Sequence, residues 1–177
     1  MAKQQKVSIR IPKEFSPAVR KEIAKDVIDF IIKRTREDQL DKNNKKFKAY
    51  TKEYALKKGV SRGDVDLTDT SDMLDELIPL DDKPGEIVVG YKKGDPINGK
   101  VEGNRIGSYG SDPNPAKARD FLGITKEDLN TIIEKYKDDA EETARRNLSE
   151  VSATDEELID FLSEEIINQI SFELDNE

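Results

Sequence analysis

Residues 84–96, PGEIVVGYKKGDP, decide the fold. Pro84-Gly85 opens a turn, Glu86 to Tyr91 is the strongest strand pattern in the chain, and Lys92 to Pro96 forms a second turn. The same punctuation continues outward, because all ten glycines fall between Gly59 and Gly123. Residues 97–101 and 105–109 read as two further short strands able to pair with each other. A small antiparallel sheet follows, set between two glycine-free flanks of helix-forming sequence.

On the N-terminal side, KVSIRIP alternates Val7, Ile9 and Ile11 with polar residues, and Pro12 restricts this strand to an edge or a terminal arm. Ser16-Pro17 then places a cap before a proline at the first helical position. Val19, Ile23, Val27 and Ile31 recur every four residues beside Phe30, which predicts a helix with one apolar stripe to about Gln39. Phe47, Tyr50, Tyr54 and Lys58 share a helical spacing that predicts a second, lysine-rich helix or turn stopped by Gly59. Met73, Leu74, Leu77 and Ile78 follow an acidic turn and fit either a helix or a strand.

On the C-terminal side, Thr125 with Asp128 gives a capping-box pattern ahead of Leu129, Ile132, Ile133 and Tyr136. A second cap, Thr154 with Glu157, opens a final segment. Residues 150–177 hold ten acidic residues and no Lys or Arg, yet carry Leu158, Phe161, Leu162, Ile166, Ile167, Ile170 and Phe172. A disordered acidic tail is poor in such groups. The reading is an α+β domain over residues 1–149 and an acidic amphipathic helix over residues 150–177 as an appendage. Leu158, Phe161, Leu162, Ile166 and Ile170 are its candidate partner-docking face.

Composition excludes several chemistries. The chain of 177 residues has no Cys and no His, so thiolate nucleophiles, Ser-His-Asp triads and His-ligated zinc are impossible. Hydrophobic residues make up 34% and charged residues 38%, which leaves a modest core and predicts order gained from partners. No apolar run approaches the ~18 residues of a membrane span, and the reading is a soluble, non-exported chain. Gly85 and Gly90 have the first spacing of a P-loop, but Tyr91 stands where Lys is required. Gly103, Gly107 and Gly110 lack the G-x-G of a dinucleotide fingerprint. Asp64, Asp66, Asp69 and Asp72 are out of register for a calcium loop, and turn formation and capping account for them. No catalytic residue, metal or cofactor is expected.

Charge is divided along the chain. Residues 1–63 carry 18 Lys/Arg against 8 Asp/Glu, and residues 64–177 carry 12 against 30, so a net charge of -8 conceals a +10 beginning and a -18 remainder. Such a two-signed chain favours repeated head-to-tail contact between copies. The basic third, with Phe47, Tyr50 and Tyr54 among lysines, also fits a nucleic-acid-binding or regulatory module, although aromatics on one stripe are equally what a buried face looks like.

Three ordered blocks carry a family likeness. Phe47-x-x-Tyr50-x-x-x-Tyr54-x-x-x-Lys58-Gly59 precedes Val65-Asp66-Leu67-Thr68 and Ser71-Asp72-Met73-Leu74. Arg119-Asp120-Phe121-Leu122-Gly123-Ile124 then leads into Lys126-Glu127-Asp128-Leu129. Their order over about residues 15–137 resembles the phage virion morphogenesis or tail-completion proteins, the neck components that join the portal to the tail. Ser71-Asp72 stands in place of a small-Gly pair, and Asp120 in place of a proline.

The resemblance implies an α+β fold in which a long N-terminal helix packs on a small, mostly antiparallel sheet, with C-terminal helices. It further implies a structural, non-enzymatic virion protein made in the host cytoplasm. Copies would form a homo-oligomeric ring at the head-tail junction, bound to portal or adaptor and tail proteins, with genome DNA passing through without sequence-specific binding. Read physically, Phe121 and Leu122 anchor the start of the following helix, and Gly123 permits a positive φ or a close backbone approach. Arg119 is either a contact for a carboxylate of a neighbouring subunit or an ordinary surface arginine.

Overall fold

A three-stranded antiparallel sheet in the order β1-β3-β2 organises the chain, with β1 at Lys6–Arg10, β2 at Ile78–Lys83 and β3 at Glu86–Gly90. The computed structural model describes residues 2–65, 67, 72–108 and 112–151. The fold is α+β, helices plus this small sheet. The expected strand at 86–91 lies at the centre, and Ile87, Val88 and Val89 are all buried. An apolar run without alternation suits a strand covered on both faces. The KVSIRIP strand takes an edge, paired from Lys6 opposite Gly90 to Arg10 opposite Glu86. The other edge, β2, tolerates Pro79 because an edge strand can spare an amide, and a register shift between Pro79 and Asp81 blunts it further.

Helix α1, Pro17–Lys33, lies against β2 and β3. The Ser16 side chain accepts from the Val19 amide at 3.3 Å, as the cap pattern predicts. Its inward residues Ile23, Ala24, Val27, Ile28 and Ile31 are buried, and with Ile87, Val89, Phe121 and Ile133 they belong to one core. Arg20 fixes the first turn by donating to the Phe15 carbonyl at 2.7 Å and to Asp82 of β2 at 3.2 Å. After Lys33 the chain winds into a π-helical turn, Arg34–Asp38, and stops at Gln39 in the left-handed conformation. The expected end near Gln39 is correct, although its last turn is wider than an α-helix.

Two sequence expectations need correction. Residues 97–101 and 105–109 are not paired strands, because helix α4 spans Ile97–Ile106. Its start is set by side chains that satisfy free backbone groups: the Asp95 carboxylate accepts from the Ile97 amide at 2.9 Å. Buried Asn98 donates to the Lys92 and Asp95 carbonyls and accepts from the Gln5 amide at 2.7 Å. Those local bonds, with Ile97 and Val101 one turn apart facing the core, outweigh the helix-weakening glycines at 99 and 103. The second correction concerns residues 41–58. Helix α2 covers only Lys52–Lys58, capped by Thr51 and ended by Gly59, so Phe47 and Tyr50 precede it. The Asp41 carboxylate accepts from the amides of Asn43 and Lys45, and this turn interrupts the helix that the spacing predicted.

The ambiguous run at 73–78 resolves into both forms: one turn of helix, α3 at Asp72–Asp75, and then β2 from Ile78. Thr125 caps helix α5, Lys126–Ile133, accepting from the Asp128 amide at 3.2 Å. A 3-10 turn, Glu134–Tyr136, joins it to helix α6, Lys137–Val151, which runs across the expected boundary at residue 150. The docking residues Leu158, Phe161, Leu162, Ile166 and Ile170, and the cap at Thr154 and Glu157, lie outside the described residues.

Candidate functional site

The 119–123 block is a structural hub. Phe121 and Leu122 are fully buried, in the anchoring role that their position ahead of a capped helix predicts. The Phe121 and Gly123 carbonyls both accept from the guanidinium of Arg34, at 2.7 and 2.9 Å. Arg34 itself is buried and stacks over the Phe30 ring at 5.5 Å. Removal from water lowers its pKa, opposed by the surrounding carboxylates Asp128, Asp41 and Asp120. Asp120 pairs with Lys42 at 2.9 Å and with Arg105 at 2.8 Å. It thereby joins the 42–62 segment to α4. Gly123 has φ 154, and a Cβ there would meet only the Lys42 side chain, at 3.2 Å.

Arg119 is mostly buried and is held by its own chain. It donates to the Lys117 carbonyl at 2.9 Å and the Lys48 carbonyl at 3.3 Å, and it lies over the Tyr50 ring at 4.9 Å. Its burial rules out the reading of an ordinary surface arginine. Lys58 sits at 5.2 Å from the same ring, and the Tyr54 ring is 4.8 Å away. Tyr50 exchanges backbone bonds with Arg62, its amide donating at 2.8 Å and its carbonyl accepting from the Arg62 side chain at 3.0 Å. Tyr50 is therefore a core residue around which cations are arranged, whereas Tyr54 turns outward.

The outer side of that cluster is the candidate site. Residues 42–62 contain eight Lys/Arg and a single acidic residue, Glu53. Lys45, Lys46, Lys48, Lys52 and Lys57 are exposed. Among them stands Leu56, the most exposed large apolar side chain of the described residues at 73%. Lys52, one helical turn before Leu56, and the adjacent Lys57 set positive charge beside a small apolar knob. Among the described residues no group of three or more carboxylates could hold a metal ion. Asp64 accepts from the Ser61 amide at 3.3 Å, a turn role, and Asp66 and Asp69 lie outside the described residues.

No protein-family model matches this chain, and neither a curated protein nor a solved structure matches it. No helix among the described residues is long and apolar enough to cross a membrane. Sequence reasoning missed two parts of this region. Arg34 carried no signal beyond its place at the end of an apolar stripe, where a charged residue normally marks solvent. Leu56 was hidden because a lone leucine between lysines looks like part of any amphipathic helix.

Proposed function

We propose that this chain is a structural, non-enzymatic protein of a tailed-phage virion. Copies assemble into a ring at the head-tail junction, joining portal or adaptor to tail and letting genome DNA pass. The observation that carries the reading is the meeting of the resembling blocks: Arg119 of the last block packs on Tyr50 of the first at 4.9 Å. The Met73 carbonyl of the middle block accepts from the hydroxyl of Tyr91, the residue after β3, at 2.7 Å. The first and last blocks, far apart in sequence, thus meet, as parts of a shared ancestral core would. A helix over a small sheet, with helices toward the C-terminal end, is the arrangement that the resemblance implies. The -18 remainder suits a DNA-conducting lumen, where repulsion prevents the genome from adhering.

The experiment is quantitative mass spectrometry of gradient-purified virions of the encoding phage, counting this chain against the portal protein. A fixed simple ratio is expected. Absence from mature particles would remove the neck reading. The second reading, a nucleic-acid-binding module, is favoured by the exposed cations of residues 42–62. Its signature is affinity for duplex DNA that falls steeply with salt as counterions are released.

A further inference from the structure

The 42–62 surface has two chemical demands, and one partner must meet both. Its exposed cations, Lys45, Lys46, Lys48, Lys52 and Lys57, call for negative charge. Leu56, at 73% exposure, and Tyr54, at 37%, call for apolar cover. Nucleic acid meets the first demand, but duplex phosphates contacted by lysines leave the aliphatic Leu56 without apolar cover. An acidic amphipathic segment meets both, because its carboxylates face the lysines while its apolar stripe covers the leucine. The chain carries such a segment: residues 150–177 hold ten carboxylates, no cation and a repeated apolar stripe.

The described helical layer that precedes this segment runs away from the basic surface. Helix α5 begins beside that surface, where Asp128 accepts from Asn44 at 2.7 Å. Its continuation passes Asp26 in the middle of α1, which Lys135 meets at 3.0 Å, and so runs back along α1. The helical run then extends to Val151. At 1.5 Å per residue the whole run covers roughly 35–40 Å, so its described end at Val151 is well removed from its start beside Asn44.

We propose that the acidic segment of one copy, residues 154–172, docks on the 42–62 surface of a second copy. Phe161 and Leu162 pack on Leu56 and Tyr54, and the flanking carboxylates face Lys45, Lys52 and Lys57. None of these three lysines is ion-paired among the described residues. Unlike surfaces meeting in this way form a heterologous contact, which closes into a ring when its rotation permits. The inference names the subunit contact of the ring proposed above and rests on that reading for its closure.

The absence of native cysteine makes the test direct. Full-length chains carrying Glu53→Cys and Ser163→Cys are mixed at low ionic strength and oxidised. A reducible mixed dimer is expected. Its yield should fall by about tenfold in the K45E/K52E/K57E background and return when E156K/E157K/D160K is introduced in the other copy. Far-ultraviolet circular dichroism checks that each variant is folded. A mixture without dimer, or a dimer indifferent to both charge reversals, would overturn the contact. So would a disulfide formed only within one chain carrying both cysteines. Salt-sensitive binding of a DNA duplex to this surface, without the mixed dimer, would assign it to nucleic acid. Virions holding the chain at fixed ratio while the cross-link fails would reject this contact and leave the ring. A cross-link in a chain absent from virions would do the reverse.

Discussion

Two glycines with the same backbone angle separate conformational preference from crowding. Gly59 ends α2 at φ 75 with nothing near a prospective Cβ, whereas Gly107 ends α4 at φ 72 with the Asn114 carbonyl oxygen 2.2 Å from that position and the Ala118 amide nitrogen at 2.8 Å. An alanine at Gly59 carries only the left-handed penalty, about 1 kcal/mol. At Gly107 the same substitution must also push apart the turn at 114–118 that feeds Arg119, and the loss should exceed about 3 kcal/mol. Urea unfolding of the two variants checks this. Equal midpoints would mean that the 114–118 turn yields freely. Gly59 was legible in sequence as the stop of an expected helix, whereas Gly107 fell inside an expected strand at 105–109. The crowding at Gly107 was not legible, because it depends on a loop that packs back from residues later in the chain.

At the scale of elements, the sequence announces those whose signal is local and conceals those whose signal is tertiary. Strand β3 is apolar throughout and α1 keeps a four-residue stripe over its length, so both are readable. Strand β2, IPLDDK, contains a proline and three charged residues, and it is a strand only because β3 stands beside it. Helix α4 hides behind Gly99 and Gly103, which look like strand punctuation, while its real signals are Asp95 and Asn98 bonding to the backbone. The candidate surface was half legible: its charge was plain, but which aromatic is buried and which side chain projects depended on the Asp41 turn. These readings separate two more glycines. In β3, a Cβ on Gly90 would lie 2.5 Å from the Gln5 carbonyl oxygen, so Gly90→Val should detach β1 and cost roughly 2–4 kcal/mol. In α4, Gly99 has nothing nearer than Ala2 Cβ at 3.8 Å, so Gly99→Ala should add roughly 0.5–1 kcal/mol through helix propensity. Amide exchange should show lost protection along β1 for the first and unchanged protection there for the second. Unaltered β1 exchange in Gly90→Val would show that the strand can slide without unpairing.

For the whole molecule, two tyrosines tie its layers together, and both resist ionisation. Tyr91 ends the central strand fully buried, its hydroxyl donating to the Met73 carbonyl at 2.7 Å, and burial drives its pKa upward against a weak opposing pull from Arg105. Tyr136 joins the helical run at 126–151 to α1, and its pKa is pushed up to about 12 by desolvation first and then by the charges of Asp26 and Glu22. In the unfolded chain both phenols lose their protons near pH ~10. Above that pH the unfolded state binds fewer protons than the folded one, so the derivative of stability with pH is negative. The contribution of each phenol is therefore complete below pH ~10 and is lost as pH rises through its folded pKa. Lysines also lose protons in this range and add a background that both proteins share, so the decisive quantity is a difference in slope. Thermal midpoints measured from pH ~8 to ~12 should fall more steeply for the native chain than for Tyr136→Phe, with a small fixed offset at neutral pH from the lost contact with Asp26. Parallel curves would mean that the alkaline transition begins elsewhere in the fold, and that the 3-10 turn at 134–136 opens before the tyrosine it carries is titrated.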